Sequence, residues 1–188
     1  MLTVKNLTVL LLCIRVAYSQ QLTPEEIHKK NVLRADSLAF ALSSKGKLDS
    51  IKSAKYDFDD GMAVAETQPE RAINYFTNVI KLCDDDNNEM VLETYAMRAL
   101  CRTMIHDYAL ALRDADKVIL LSSQPIHLVL YAPWRLRETI DESVKIAYSA
   151  RGIAHYSLGN TNEACDDWRE AIKKGDKSSN EYIDKYCR

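Results

Sequence analysis

The chain has 188 residues, 47% of them hydrophobic and 28% charged, with 25 Lys plus Arg against 27 Asp plus Glu and a formal charge of −2. That length and apolar share suffice to bury one hydrophobic core. The slight acidity excludes the basic surface that a nucleic-acid backbone requires, so no nucleic-acid partner is expected.

The first segment answers where the protein works. Lys5 precedes an apolar run from Leu7 to Ile14, and Ala17-Tyr18-Ser19 sets small residues at the two positions a signal peptidase reads. Residues 1–19 are therefore expected to be a signal peptide cleaved before Gln20. The apolar run is too short to span a bilayer, so no transmembrane segment is expected after cleavage. The mature protein is expected to be exported, periplasmic or extracellular.

Residues 20–53 read as N-terminal capping helices. Thr23-Pro24-Glu25-Glu26 is a capping box with Pro at the first helical position. The helix it opens should run to about Ser43, where Ser44-Lys45-Gly46 stops it; Leu48, Ile51 and Phe58 continue as another helix.

Residues 54–175 repeat a two-helix unit. In the first copy Ala72, Phe76 and Val79 form the apolar stripe of a helix begun at Gln68-Pro69. The helix before it sets a small residue at Asp60 or Gly61, depending on a one-residue shift. The polar run Asp84-Asp85-Asp86-Asn87-Asn88 reads as a loop with Asn88 as N-cap; it lacks the Gly and the Glu that a calcium loop needs at its sixth and twelfth positions. The second copy aligns Tyr95, Ala99, Ala111 and Val118, with His106-Asp107 as the turn. The third aligns Tyr148, Gly152, Ala164 and Ala171, with Leu158-Gly159-Asn160 as the turn.

The third copy carries its own physical argument. Helices approach closely only where a side chain is no larger than a methyl, so Gly152 and Ala164 let the bulky Trp168 interlock between them. Ala164, Trp168, Ala171 and Ile172 make the buried stripe, while Asp166, Asp167, Arg169, Glu170 and Lys173 are expected to face water, and Gly175 ends the helix. Residues 176–188 follow as a C-terminal capping helix, from Ser178 to Tyr186.

These copies resemble the tetratricopeptide (TPR) repeat. The resemblance implies an all-α, helical-hairpin solenoid of about 2.5 to 3 repeats with capping helices at both ends. Ala72, Ala111 and Ala164 lie further apart than the ~34 residues of the standard unit. The larger excess, at about 122–143, is an insertion. It carries an apolar run from Ile126 to Tyr131 between Pro125 and Pro133, then Trp134-Arg135-Leu136-Arg137 opening a long helix. In the family the first helix of each repeat lines a concave groove. The resemblance sets Glu93, Ala96, Leu100, Thr103 and Met104 of the second copy there, with Ile146, Ser149, Ile153, Tyr156 and Ser157 of the third. The Lys and Asn residues with which some cytosolic TPR domains clamp a peptide carboxylate are missing from these positions. Tyr131, Trp134, Arg135 and Arg137 of the insertion are a candidate second contact, since aromatic and Arg side chains commonly anchor interfaces.

Four cysteines remain after signal cleavage, Cys83, Cys101, Cys165 and Cys187, and they allow three disulfide pairings. The ending resembles that of small exported bacterial TPR proteins, which share an Ala-Cys-x-x-Trp helix and a terminal Tyr-Cys. Here these are Ala164-Cys165-Asp166-Asp167-Trp168 and Tyr186-Cys187. The pairing this implies is Cys165 with Cys187, in keeping with a last helix that folds back across Cys165. Such a bond would stabilise the fold by about 3 kcal/mol in the chain-entropy description. Cys83 and Cys101 read as buried core thiols.

Catalytic chemistry is not signalled. His28, His106, His127 and His155 stand alone, no Cys-x-x-Cys is present and no glycine loop could cradle a phosphate. No cofactor, metal or enzymatic activity is expected. The function expected is a non-catalytic scaffold of the cell envelope that binds a protein or peptide segment. A self-associating structural subunit is the alternative, and a thiol-redox protein or enzyme stands behind both.

Overall fold

A computed structural model describes residues 45–83, 88–126 and 136–187. The signal peptide expected at residues 1–19, the helix expected from Thr23 to Ser43, residues 84–87 of the acidic loop and residues 127–135 of the insertion lie outside the described residues. The described residues form three helical hairpins and a closing helix. Helices α1 (Lys45–Val64) and α2 (Pro69–Leu82) make the first hairpin, α3 (Glu89–Met104) and α4 (Tyr108–Ser122) the second, and α5 (Leu136–Ser157) and α6 (Thr161–Lys173) the third. Helix α7 (Ser179–Tyr186) packs on α6, and the second helix of each of the first two hairpins packs on the first helix of the next. Helix α1 runs unbroken, so the boundary between prologue and repeats at 53/54 falls inside it.

Local sequence sets the helix ends. Pro69 opens α2, where its missing N–H costs nothing. Asn88 caps α3, its Oδ1 accepting a hydrogen bond from the Val91 N–H at 2.8 Å. Helices α3, α5 and α6 close with one device. The residue after the cap takes a left-handed conformation and returns its N–H to the helix: His106 to Thr103, Gly159 to Tyr156, Gly175 to Ile172. The next N–H reaches one residue further back, from Asp107 to Arg102, Asn160 to His155 and Asp176 to Ala171. Gly159 and Gly175 hold φ of 88° and 98°; in the second hairpin a histidine does this work at φ 64°.

The close approach within each hairpin is made in two ways. A Cβ on Gly152 would lie 2.5 Å from Nε1 of Trp168, and one on Gly61 would lie 2.7 Å from Cε1 of Phe76. The small-residue position of the first copy is therefore Gly61, and the ring of Phe76 needs the hole it leaves. Trp168 fills the equivalent hole in the third hairpin, as the spacing requires. The middle hairpin has no such knob: Ala99 and Ala115 stand at the places of Gly152 and Trp168, and both are fully buried. Two apolar clusters result. Phe58, Phe76, Val79 and Met90 centre one across the first two hairpins; Leu92, Val118, Val144 and Ala147 centre the other across the last two.

One expectation is overturned here. Asp167 does not face water with Asp166 and Arg169; it is 5% exposed and ion-paired.

Candidate functional site

The first helices are held in place by a polar lattice that repeats from one hairpin to the next. In the second hairpin the Arg98 guanidinium donates from Nε and Nη2 to the two Asp114 oxygens, both at 2.8 Å. In the third, Arg151 does the same to Asp167 at 2.9 and 2.7 Å. Each guanidinium then reaches back to the preceding hairpin: Arg98 Nη1 donates to Thr77 Oγ1 at 3.0 Å, and Arg151 Nη1 to Asp116 Oδ1 at 2.7 Å. Each also lies 5.3 Å from the ring centre of a tyrosine one turn earlier, Tyr95 or Tyr148. One side chain thus fixes both the angle within a hairpin and the stacking on its neighbour. Burial opposes the charge on Arg151, but the hydrogen bonds it donates to Asp167 and Asp116 outweigh it and raise its pKa. Arg102 adds a second cation to Asp114 at 2.5 Å, and burial, together with Arg98 nearby, lowers its pKa despite that partner. His155 takes the corresponding place in the third hairpin, its Nε2 3.9 Å from Asp167.

On this frame the residues assigned to the groove divide. Met104 is 43% and Tyr156 37% exposed, and Leu100 and Ile153 are half-buried, as are Glu93, Ile146 and Ser149. Ala96 is not a surface residue: it is fully buried in the cluster that joins α3 to α5. Thr103 is likewise buried, and its hydroxyl donates to the Leu100 carbonyl. Met62 of α1, at the place in the first copy that Leu100 and Ile153 hold in the others, is 40% exposed. The three first helices therefore offer an apolar row, Met62, Leu100, Met104, Ile153 and Tyr156, beside the polar groove positions Glu93, Ser149 and Ser157. Of the four insertion residues assigned to binding, only Arg137 falls among residues with described side chains, exposed in the first turn of α5; Tyr131, Trp134 and Arg135 lie outside the described residues.

Helix α7 closes the far end of this face. Cys165 and Cys187 are joined by a disulfide, their Cα atoms 5.7 Å apart, which ties the end of α7 to α6. Trp168 stacks on Tyr182, ring centres 4.9 Å apart, and Tyr186 packs on Tyr156 at 4.1 Å. Between α6 and α7, Asp176 accepts from the Ser178 N–H and from the hydroxyls of Ser178 and Ser179. Burial alone would raise the Asp176 carboxyl; the hydrogen bonds from Ser178, Ser179 and Ser149 outweigh it and hold it below the usual range. Ser149 and Tyr156, two of the groove positions, are thus engaged by the closing segment.

Cys83 and Cys101 are buried thiols outside the disulfide. Burial pushes the Cys101 thiol up to about 11, the opposite of what a reactive thiol needs. Among the described residues no group of three or more His, Cys, Asp or Glu side chains could hold a metal ion, and no helix is long and apolar enough to cross a membrane.

Sequence reading missed the Arg–Asp lattice, though its signal is present in the chain: Tyr-x-x-Arg occurs at Tyr95 and Tyr148, with Asp three residues after Ala111 and after Ala164. No family model matches the chain, and no curated protein matches it. Among solved structures, an Arabidopsis OM64 TPR domain aligns at a TM-score of 0.55 and 23% identity, over 73% of this chain and 96% of that one. The fold is a TPR-type solenoid. The second TPR of Spaghetti (RPAP3), bound to the HSP90 peptide SRMEEVD, aligns at 0.49 and 26% identity over 68% of this chain and 96% of that one, too slight a likeness to bear on ligand.

Proposed function

We propose that this chain is a non-catalytic protein–protein interaction scaffold of the cell envelope, holding a protein or peptide segment against the first helices of its TPR hairpins. The observation that supports this reading is the accessible apolar row Met62, Leu100, Met104, Ile153 and Tyr156, carried at related places on successive first helices. A rigid frame that leaves large apolar side chains in such a row suits an amphipathic helix or an extended segment with apolar anchors. The carboxylate-clamping residues are missing, so recognition would rest on side chains rather than on a peptide's C-terminus. Export is supported by the charged and apolar opening of the sequence and by the Cys165–Cys187 disulfide, a bond that persists in oxidising compartments. The buried, poorly acidic Cys101 weighs against a thiol-redox role.

The test is affinity capture from a non-reducing envelope extract with the chain from Gln20 onward, beside a Met104→Glu, Ile153→Glu variant of equal helix content. A partner bound by the parent and lost by the variant supports the scaffold reading. A partner held equally by both would place binding elsewhere, and recovery of this chain alone would favour the self-associating subunit.

A further inference from the structure

Helix α7 has few means of staying docked by itself. It is eight residues long, well below the ~12–15 at which an isolated helix becomes marginally stable in water. Only Ser179 among its residues is fully buried; Tyr182, Ile183 and Tyr186 are half-buried. The disulfide is its covalent tie to α6 at the far end, and the two sulfurs are unequally placed. Cys165 is 5% exposed beneath the end of α7, while Cys187 is half-buried at the edge. What α7 covers is apolar and belongs to the array: Trp168, held at 1% exposure beside Tyr182 and Tyr186, and the inner side of Tyr156.

We propose that α7 is a strap latched by the Cys165–Cys187 disulfide, and that reduction by a dithiol opens it without unfolding the hairpins beneath. A thiolate of the dithiol attacks the accessible Cys187 sulfur, forming a mixed disulfide and expelling the Cys165 thiolate. The second thiol of the reductant then displaces Cys187, so the dithiol is oxidised to its own disulfide by two electrons and both cysteines end as protonated thiols. With the strap released, Trp168 and the inner side of Tyr156 become accessible and the apolar face lengthens by the width of one helix. The latch is independent of the scaffold reading; only the consequence for binding rests on it, and the experiment therefore reads the latch without a partner.

The experiment is alkylation of the full mature chain by a maleimide, followed by mass spectrometry at each cysteine, for a Cys187→Ser variant and for the parent reduced with dithiothreitol. Cys83 and Cys101 are buried in the hairpins and serve as internal controls. The expected result is labelling of Cys165 at least a hundredfold faster than Cys101 in both samples, with amide protection kept in α5 and α6 and lost in α7. Slow labelling of Cys165, with α7 still protected, would overturn the proposal by showing a strap that holds without its latch. Labelling of Cys165, Cys83 and Cys101 at one common rate would overturn it too, because the disulfide would then be holding the whole fold.

Discussion

The first and last hairpins make their close approach with the same device and differ in almost everything else. Gly61 receives the Phe76 ring as Gly152 receives Trp168. Where the last hairpin sets Arg151 and Asp167, however, the first sets Asp60 and Tyr75, so it has no ion pair at those places. The outer edges differ as well. Lys52, Ser53, Tyr56, Asp60 and Ala63 are exposed on α1, while their counterparts Met90, Val91, Thr94, Arg98 and Cys101 on α3 are buried against α2. Among the described residues Tyr56 is the one large apolar side chain exposed on that edge of α1. At the other end Trp168 is buried beside Tyr182 and Tyr186 of α7. The comparison teaches that a glycine opposite an aromatic ring is enough to set a hairpin, whereas the Arg–Asp lattice occurs in the two hairpins that stack on a preceding one, where each arginine ties its own hairpin and reaches back to its neighbour.

If that division is right, the largest loss should come from the lattice where it is most buried. Asp114 is 4% exposed and faces both Arg98 and Arg102, so Asp114→Ala leaves two cations without their carboxylate. We expect a cost of about 3–5 kcal/mol in urea unfolding. Asp167→Ala should cost about 1–2 kcal/mol, because Arg151 is more exposed and keeps Asp116. Equal losses at the two sites would break the argument from burial.

Next in size is the hole itself. Gly152→Ala sets a methyl against Trp168 and should destabilise by about 2–3 kcal/mol, despite the roughly 1 kcal/mol that alanine gains in helix propensity. Trp168→Phe in the same chain should recover part of that loss, a coupling that two independent sites would not show. Gly61→Ala should follow the same direction with a smaller cost, since the contact with Phe76 is looser.

These two features differ in how far they could be read from the sequence. The small-to-large spacing of Gly152 and Trp168 is visible because helix geometry converts four residues into one turn of a face. The same geometry left Asp60 and Gly61 undecided, since a one-residue shift moves a face by only a fraction of a turn and the ring of Phe76 is needed to choose. Asp167 was read as solvent-facing because a charge on a helix usually is; nothing local shows that Arg151, on another helix, will meet it. The groove shows the same limit. Met104 and Tyr156 are accessible where the family pattern sets them, but Ala96 disappears beneath α5, and that depends on how tightly two hairpins stack.

A smaller effect should separate the strap from the hairpins by pH. The Asp176 carboxyl is held below its unfolded value by its serine hydrogen bonds. A carboxyl of that kind contributes stability that is fully present above the unfolded value of about 3.9 and is lost as pH falls through the folded one. Thermal melts of the parent and of Asp176→Asn should therefore differ by less than about 1 kcal/mol at pH 6, because solvent screens a carboxylate this exposed, and converge as the pH falls through the folded value. A difference that persists in acid would mean that the carboxylate is not what holds the turn.

The smallest effect concerns the turns, where the middle hairpin departs from the last. His106 sits at φ 64°, in the place that Gly159 holds at 88° in the third hairpin. A residue with a Cβ gives up about 1–2 kcal/mol in that conformation, and glycine removes the penalty at the cost of about 0.5–1 kcal/mol in unfolded-chain entropy. His106 recovers something through the hydrogen bond between its Nδ1 and the Tyr108 hydroxyl at 2.6 Å, but the contact is exposed and competes with water. The balance favours His106→Gly by up to about 1 kcal/mol, read as a higher urea midpoint at unchanged slope. The reverse change, Gly159→His, should lose a similar amount, because it restores the left-handed penalty and Thr161, with a much shorter side chain, stands where Tyr108 does in the second hairpin. If both substitutions destabilise, the two turns are not equivalent and the likeness between the hairpins ends at their helices.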